Sequence, residues 1–352
     1  MQRRDGFFLL LILMVGLLLR LVVLTTSGDR YYYSGLTAFH GEMARQLLLG
    51  RFASINPEYY AMVSERQLEE QRIIDFAELE PPVVEDRAKP TASREPGYSI
   101  ILAASWRLFG EKRYLYVQLL QVLLDVASLT GLFYVASKFF DPTTGLIAAS
   151  LGALFLPEAY SSVVPLPEVW ASFFVVGVMV ILSHAWKRGV LPLSTSIFLG
   201  IFVGVGTYLR SNLLFLLLPV AIVIIVRWRD RAAVAGILVM VVIVILFLLP
   251  WSIRNYFEFG AVIPTRTLLW HVVWTGFGEI DNPFGAVESD RITYQQVLDQ
   301  GYNVEYGSIE YDEIMRQKVL DVLRAYPLWY IKLVASRIPK AIVAPAPWGL
   351  TT

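Results

Sequence analysis

From Phe7 to Thr25 the chain reads FFLLLILMVGLLLRLVVLT, and so long an apolar run has few places to go. At about 18–20 residues it matches the hydrocarbon thickness of a bilayer, where a helix satisfies every backbone group internally and leaves its side chains to lipid. It is longer than a signal-peptide core and no small-residue cleavage site follows it, so it reads as an uncleaved span. Similar runs recur at about 115–137, 144–164, 167–186, 193–209, 212–227 and 232–250. The composition agrees, with 56% hydrophobic residues and a mean hydropathy of +0.54. The expected fold class is an all-α polytopic membrane protein of about seven to eight transmembrane helices, with a long first extracytoplasmic loop carrying surface helices.

Orientation follows from basic residues at the span ends. Arg3 and Arg4 put the N-terminus in the cytoplasm, and the basic turns around Lys187–Arg188 and Arg227–Arg231 are placed on the same side. The chain then divides into residues 1–26 (cytoplasmic start and first span), 27–114 (extracytoplasmic loop), 115–250 (helix bundle) and 251–352 (extracytoplasmic C-terminal segment). Within the loop, Leu36, Phe39, Met43, Leu47 and Leu48 recur at helical spacing, which suits a helix lying on the membrane surface. The apolar piece Tyr98–Phe109 is short for a span and is read as interfacial or re-entrant, with a full crossing as the alternative. Residues 327–343, PLWYIKLVASRIPKAIV, are interrupted by Lys332, Arg337 and Lys340 and look interfacial.

With no cysteine, disulfides and thiolate chemistry are excluded. The three histidines fall in separate segments, so no metal motif is legible, and no metal is expected. A net charge of zero gives no field to attract nucleic acid, which is not expected as a partner.

The residues that could carry chemistry lie near the predicted outer face. Asp29 follows the first span; it is either a solvated acid at a helix exit, with Tyr31, Tyr32 and Tyr33 as an aromatic belt, or a catalytic carboxylate. Arg20, inside that span, either snorkels outward or holds a negative group near Asp29. Arg94 precedes Pro96–Gly97, which launches a short helix, so this is either a re-entry turn or an anion site at a helix N-terminus. Glu168 opens a span directly after Pro167, where the helix dipole alone would favour an acid. Arg210 lies in an outer turn and Arg254 just past the last run; each is an interfacial anchor or a phosphate ligand. Asp125 is a deep carboxyl that must be paired or neutral, and is read as a structural helix–helix contact.

Taken in order, these blocks resemble the GT-C integral-membrane glycosyltransferases, in particular the family 39-like enzymes related to lipid A aminoarabinose transferases and protein O-mannosyltransferases. The likeness rests on Arg20, Asp29, MARQLLLGRF, REPGYSIILAASWRLFG, VPLPEVWASFF, GIFVGVGTYLRSNLLFLLLP and LPWSIRNYFEFGAVIP, collinear over about residues 7–265. It implies a polyprenyl-phosphate sugar as donor substrate with no further cofactor. The acceptor would be an envelope glycolipid, glycan or protein on the extracytoplasmic face of the cell membrane. It implies that Asp29 is the base or a group that orients the acceptor, that Glu168 is a second acid of the same cavity, and that Arg94, Arg210 and Arg254 are candidates for the donor phosphate. In the family the loop acid stands closer to the alanine of the following helix than Asp29 does to Ala44, which leaves Glu42 as a rival base. Relatives commonly carry further spans beyond the position where this sequence stops. Two other readings are a flippase for lipid-linked sugars and a non-catalytic scaffold in an envelope complex.

Overall fold

The computed structural model describes residues 3–30, 35–81, 87–186 and 188–343; Tyr31–Tyr33, Lys187 and the side chain of Lys340 lie outside what is described. Helix α1 (Arg3–Ser27) runs unbroken for 25 residues with Leu10, Leu11, Met14 and Leu18 exposed, a face suited to lipid and not to water. The block that follows contains α2 (Leu36–Leu48), β1 (Ser54–Ile55), α3 (Pro57–Glu70), β2 (Lys89–Pro90, antiparallel to β1) and α4 (Gly97–Phe109). Asn56 starts α3 by accepting from the backbone N–H of Glu58 and Tyr59, with Pro57 in the first helical position, where its missing N–H costs nothing. The rings of Tyr59, Phe76, Trp106 and Tyr114 pack largely edge-on at the centre of this block.

The bundle comprises α5 (Leu115–Phe139), α6 (Pro142–Leu154), α7 (Leu156–Ser161), α8 (Glu168–Ala185), α9 (Leu193–Leu209), α10 (Leu217–Trp228, entered through a 3-10 segment Ser211–Leu216) and α11 (Arg231–Phe259). Among the described residues five helical stretches are long and apolar enough to cross a membrane: α1, α5, α8, Ser211–Trp228 and α11. The apolar helices α6 and α9, at 13 and 17 residues, are shorter. The expected single span at 144–164 is instead two helices: Phe155 leaves helical geometry (φ −75°, ψ 95°), and Pro157, which has no N–H to continue the ladder, falls in the first turn of the second helix. The last run also differs. Its helix continues through Pro250 to Phe259, so Trp251, Arg254 and Asn255 belong to its closing turns.

Two expectations about single elements change. Helix α2 does not present one apolar stripe to a surface: Thr37 through Gln46 are all buried, the polar His40, Glu42, Arg45 and Gln46 among them. Arg20 neither snorkels nor approaches Asp29. Its Nε donates to Asp125 at 2.5 Å, and its other nitrogens donate to the carbonyls of Gly16, Ala153 and Gly152. These two buried charges thus neutralise each other and bolt α1 to α5 and α6, the arrangement an ion pair needs away from water.

The chain forms two compact units, whose described parts are 3–91 with 95–250, and 92–94 with 251–343. The second has its own helices, α12 (Leu269–Phe277), α13 (Asp290–Asp299), α14 (Ile309–Ala325) and α15 (Pro327–Val343). Ser289 and Ser308 cap α13 and α14 through their hydroxyls. Its core is Leu268, Phe277, Val297, Tyr311, Met315, Val319 and Leu333.

Candidate active site

Helix α1 ends where Gly28 turns its N–H back to Leu24 O; a Cβ at this position would stand 2.5 Å from that oxygen, so the exit accepts only glycine. Asp29 comes next. Its backbone oxygen accepts from Ile73 N at 2.6 Å and fixes the residue in place, while its side chain is exposed. The carboxylate makes no hydrogen bond or ion pair with the described residues.

Two glutamines one turn apart on α5 tie this exit to the loop before α8. Gln118 Nε2 donates to Gly28 O at 2.6 Å and to Val163 O at 2.7 Å, which holds those two carbonyls within roughly 5 Å of each other. Gln121 Nε2 donates to Ser162 O and Val164 O, and its Oε1 accepts from the buried Tyr98 hydroxyl at 2.7 Å. That loop contains Pro165 and Pro167, which have no N–H of their own to satisfy, and it delivers Glu168 as the first residue of α8.

Glu168 and Arg210 form an ion pair, Oε1 to Nη1 at 2.9 Å, with both side chains about two-fifths exposed. The second carboxylate oxygen, Oε2, is shielded from solvent and has no partner among the described residues. Arg210 sits where α9 gives way to the 3-10 segment, in extended conformation. Its position is set by the proline–glycine block. Glu95 accepts from the adjacent Ser211 N at 2.8 Å, and Gly97 packs so tightly on α9 that a Cβ would lie 2.5 Å from Tyr208 O. One connected set of contacts therefore joins the α1 exit, the α7–α8 loop, Glu168, Arg210 and the start of α4.

Glu42 has a different environment. It is fully buried, and its carboxylate accepts from Arg45 Nε and Nη2, from Gln46 Nε2 and from Asn56 N, all within 3.0 Å. Four donors occupy the lone pairs that a base would need. The two remaining candidate arginines, Arg94 and Arg254, belong to the second unit. The charge of Arg94 helps hold the Asp290 carboxyl below its usual range, and Arg254 stacks over Trp251 and Phe259 and donates to Asn255 Oδ1.

Sequence reasoning did not identify Glu95, Gln118 or Gln121. Gln118, Gln121 and Asp125 lie at i, i+3 and i+7 of an otherwise apolar span, which places all three polar groups on one stripe of α5. That spacing was a legible sign of a buried polar seam.

Residues 89–253 match the model of a family described as dolichyl-phosphate-mannose-protein mannosyltransferase. The matched stretch contains Arg94, Glu168 and Arg210; Asp29 and Glu42 precede it, and Arg254 follows it. Among solved structures the chain is similar to the Archaeoglobus fulgidus oligosaccharyltransferase tethered with an acceptor peptide. The identity is 13% and the TM-score 0.48, over 92% of this chain and 38% of that one. The chain thus spans well under half the length of that protein. No curated protein matches it.

Proposed function

We propose that this chain is a multi-pass membrane glycosyltransferase of the GT-C type, which transfers a sugar from a polyprenyl-phosphate donor to an acceptor on the extracytoplasmic face of the cell membrane; the family match over residues 89–253 supports the reading. The carrying observation is Asp29: an exposed carboxylate with no hydrogen bond or ion pair among the described residues, on a backbone fixed by Ile73, at the mouth of a span. In the proposed step an acceptor hydroxyl or amine attacks the anomeric carbon as its proton passes to Asp29. The bond from that carbon to the phosphate oxygen breaks, and the electron pair leaves with the phosphate. Attack opposite the leaving group inverts the anomeric centre. A phosphate is already a good leaving group, so the reaction needs charge stabilisation more than an acid, and Arg210 supplies a guanidinium for it. Glu168 orients that guanidinium.

A lipid, glycan or protein acceptor satisfies this chemistry equally. The transport reading draws no support from the one deep carboxylate, because Asp125 is taken up by Arg20. The test is sugar transfer in vesicles supplied with a polyprenyl-phosphate sugar. Asp29→Asn is expected to lose about 10²–10⁴-fold in turnover, the usual worth of a general base. Glu42→Gln is expected to lower the amount of folded protein while the folded fraction keeps its turnover. Full activity in Asp29→Asn would sink the assignment.

A further inference from the structure

The second unit contains a cleft of about 580 Å³ that takes no part in the contacts around Glu168 and Arg210. Trp274, Phe284, Asp299, Gln300, Lys318 and Asp321 line it. We propose that this cleft binds a short, uncharged saccharide.

Four observations point to that chemistry. Trp274 is only 5% exposed, yet its indole N–H has no acceptor among the described residues. Buried indole nitrogens are ordinarily paired, so this one is a donor left over in the wall of the cleft. Second, the aromatic lining is fixed in place. Phe284 packs edge-on against Trp329 and at a tilt against Tyr326, with centroids 4.9 Å apart in each case. Third, the rim mixes donors with acceptors. Asp299 and Gln300 stand at the end of α13, and Asp321 and Lys318 lie on α14. Asp299 accepts from Gln295 through one oxygen only, which leaves the other for a hydroxyl. Fourth, the charge balance is two carboxylates to one ammonium, and the Lys318 ammonium lies 5.5 Å from the Trp274 ring centre. That excess of negative charge disfavours a phosphate or carboxylate ligand.

The volume falls in the range of ordinary small-molecule sites, about 300–1,000 Å³. A ligand that offers an apolar ring face to the aromatic groups and hydroxyls to carboxylates and amides fits this lining, and a saccharide has both. An acyl chain would leave the rim carboxylates unmet. The inference concerns binding alone and does not depend on the transfer reaction proposed above.

The experiment is saturation-transfer NMR on the full chain in micelles of a zwitterionic detergent, since sugar-headed detergents would occupy the cleft. The probes are the methyl glycosides of glucose, mannose and N-acetylglucosamine, with inorganic phosphate as the contrast. At least one glycoside is expected to bind with Kd near about 1 mM, a weak but measurable free energy. The double variant Asp299→Asn with Gln300→Ala, both exposed positions, is expected to weaken it about tenfold. Trp274→Phe keeps a ring and removes the N–H, and is expected to do the same. Should that core variant fail to fold, the exposed double variant decides by itself. Three results overturn the inference: no saturation by any of the three glycosides up to about 50 mM, binding that both variants leave unchanged, or phosphate binding in preference.

Discussion

Asp290 offers its carboxylate to His271, whose hydrogen bond is the main reason the group is held below the usual carboxylate range; Arg94 and Tyr306 add to the effect. A carboxyl depressed on folding stabilises the native state above its unfolded pKa, near about 3.9. That contribution is lost as pH falls through the lower folded value. Asp290→Asn should therefore lower the thermal midpoint of the protein by a few degrees at about pH 6 and leave it unchanged near about pH 2. The effect stays small because Asp290 is exposed and screened by water. A midpoint difference that persisted at the acid end would place the interaction elsewhere. The same residue-by-residue logic separates Asp29 from Glu42. Both are acids in the stretch between α1 and α5, and the sequence kept both as candidate bases. What distinguishes them is who occupies the oxygens: four donors for Glu42, and none among the described residues for Asp29. Donors supplied by Arg45, Gln46 and Asn56 follow from the fold of α2 against the start of α3, and no local pattern announces them.

At the scale of elements, α1 and α5 are joined by one ion pair with no access to water. Removing either partner strands a charge, so Arg20→Met or Asp125→Leu alone should cost about 3–5 kcal/mol. The double variant should recover most of that loss, because two apolar side chains suit the same site. Unfolding followed by helical circular dichroism in micelles would read the cycle, and strictly additive losses would contradict it. The contact of α4 with α9 is of another kind. Gly97→Ala forces a methyl against Tyr208 O, for a cost of about 1–3 kcal/mol. Because Arg210 follows two residues later, the variant should also slow sugar transfer, and slowed transfer at an unchanged unfolding midpoint would show that crowding is not the cause. The elements themselves were largely legible, since spans of 18 to 29 residues declare themselves through unbroken apolar runs. The break at Phe155 and the extension of α11 through Pro250 were less so. In both, proline's local preference competes with packing, and the outcome differs: the helix ends before Pro157 and continues through Pro250. The Arg20–Asp125 pair was out of reach because its halves are 105 residues apart. The collinear blocks, by contrast, did carry Glu168 and Arg210, and the structure adds that these two touch.

At the scale of the whole molecule, the two units carry separate cores. Met315 is fully buried in the second, and Met315→Ala should cost about 2–5 kcal/mol there. Hydrogen exchange should localise the loss of protection to residues 268–333, with α5 and α8 as protected as before. A uniform loss would mean that the units do not open independently. Neither unit is a simple stretch of chain, however: Ala92–Arg94 belongs with residues made much later. Ala92 O accepts from Thr267 N, and Ser93 lies close against Gly307. During synthesis at about 5–20 residues per second, roughly ten to thirty-five seconds separate Ala92 from its partner. Through that interval the three residues directly before Glu95 and Gly97 lack the neighbours that will hold them. A nascent chain released before Thr267 emerges would have every apolar run this sequence contains up to Pro250 and still could not complete the unit to which Ala92–Arg94 belong.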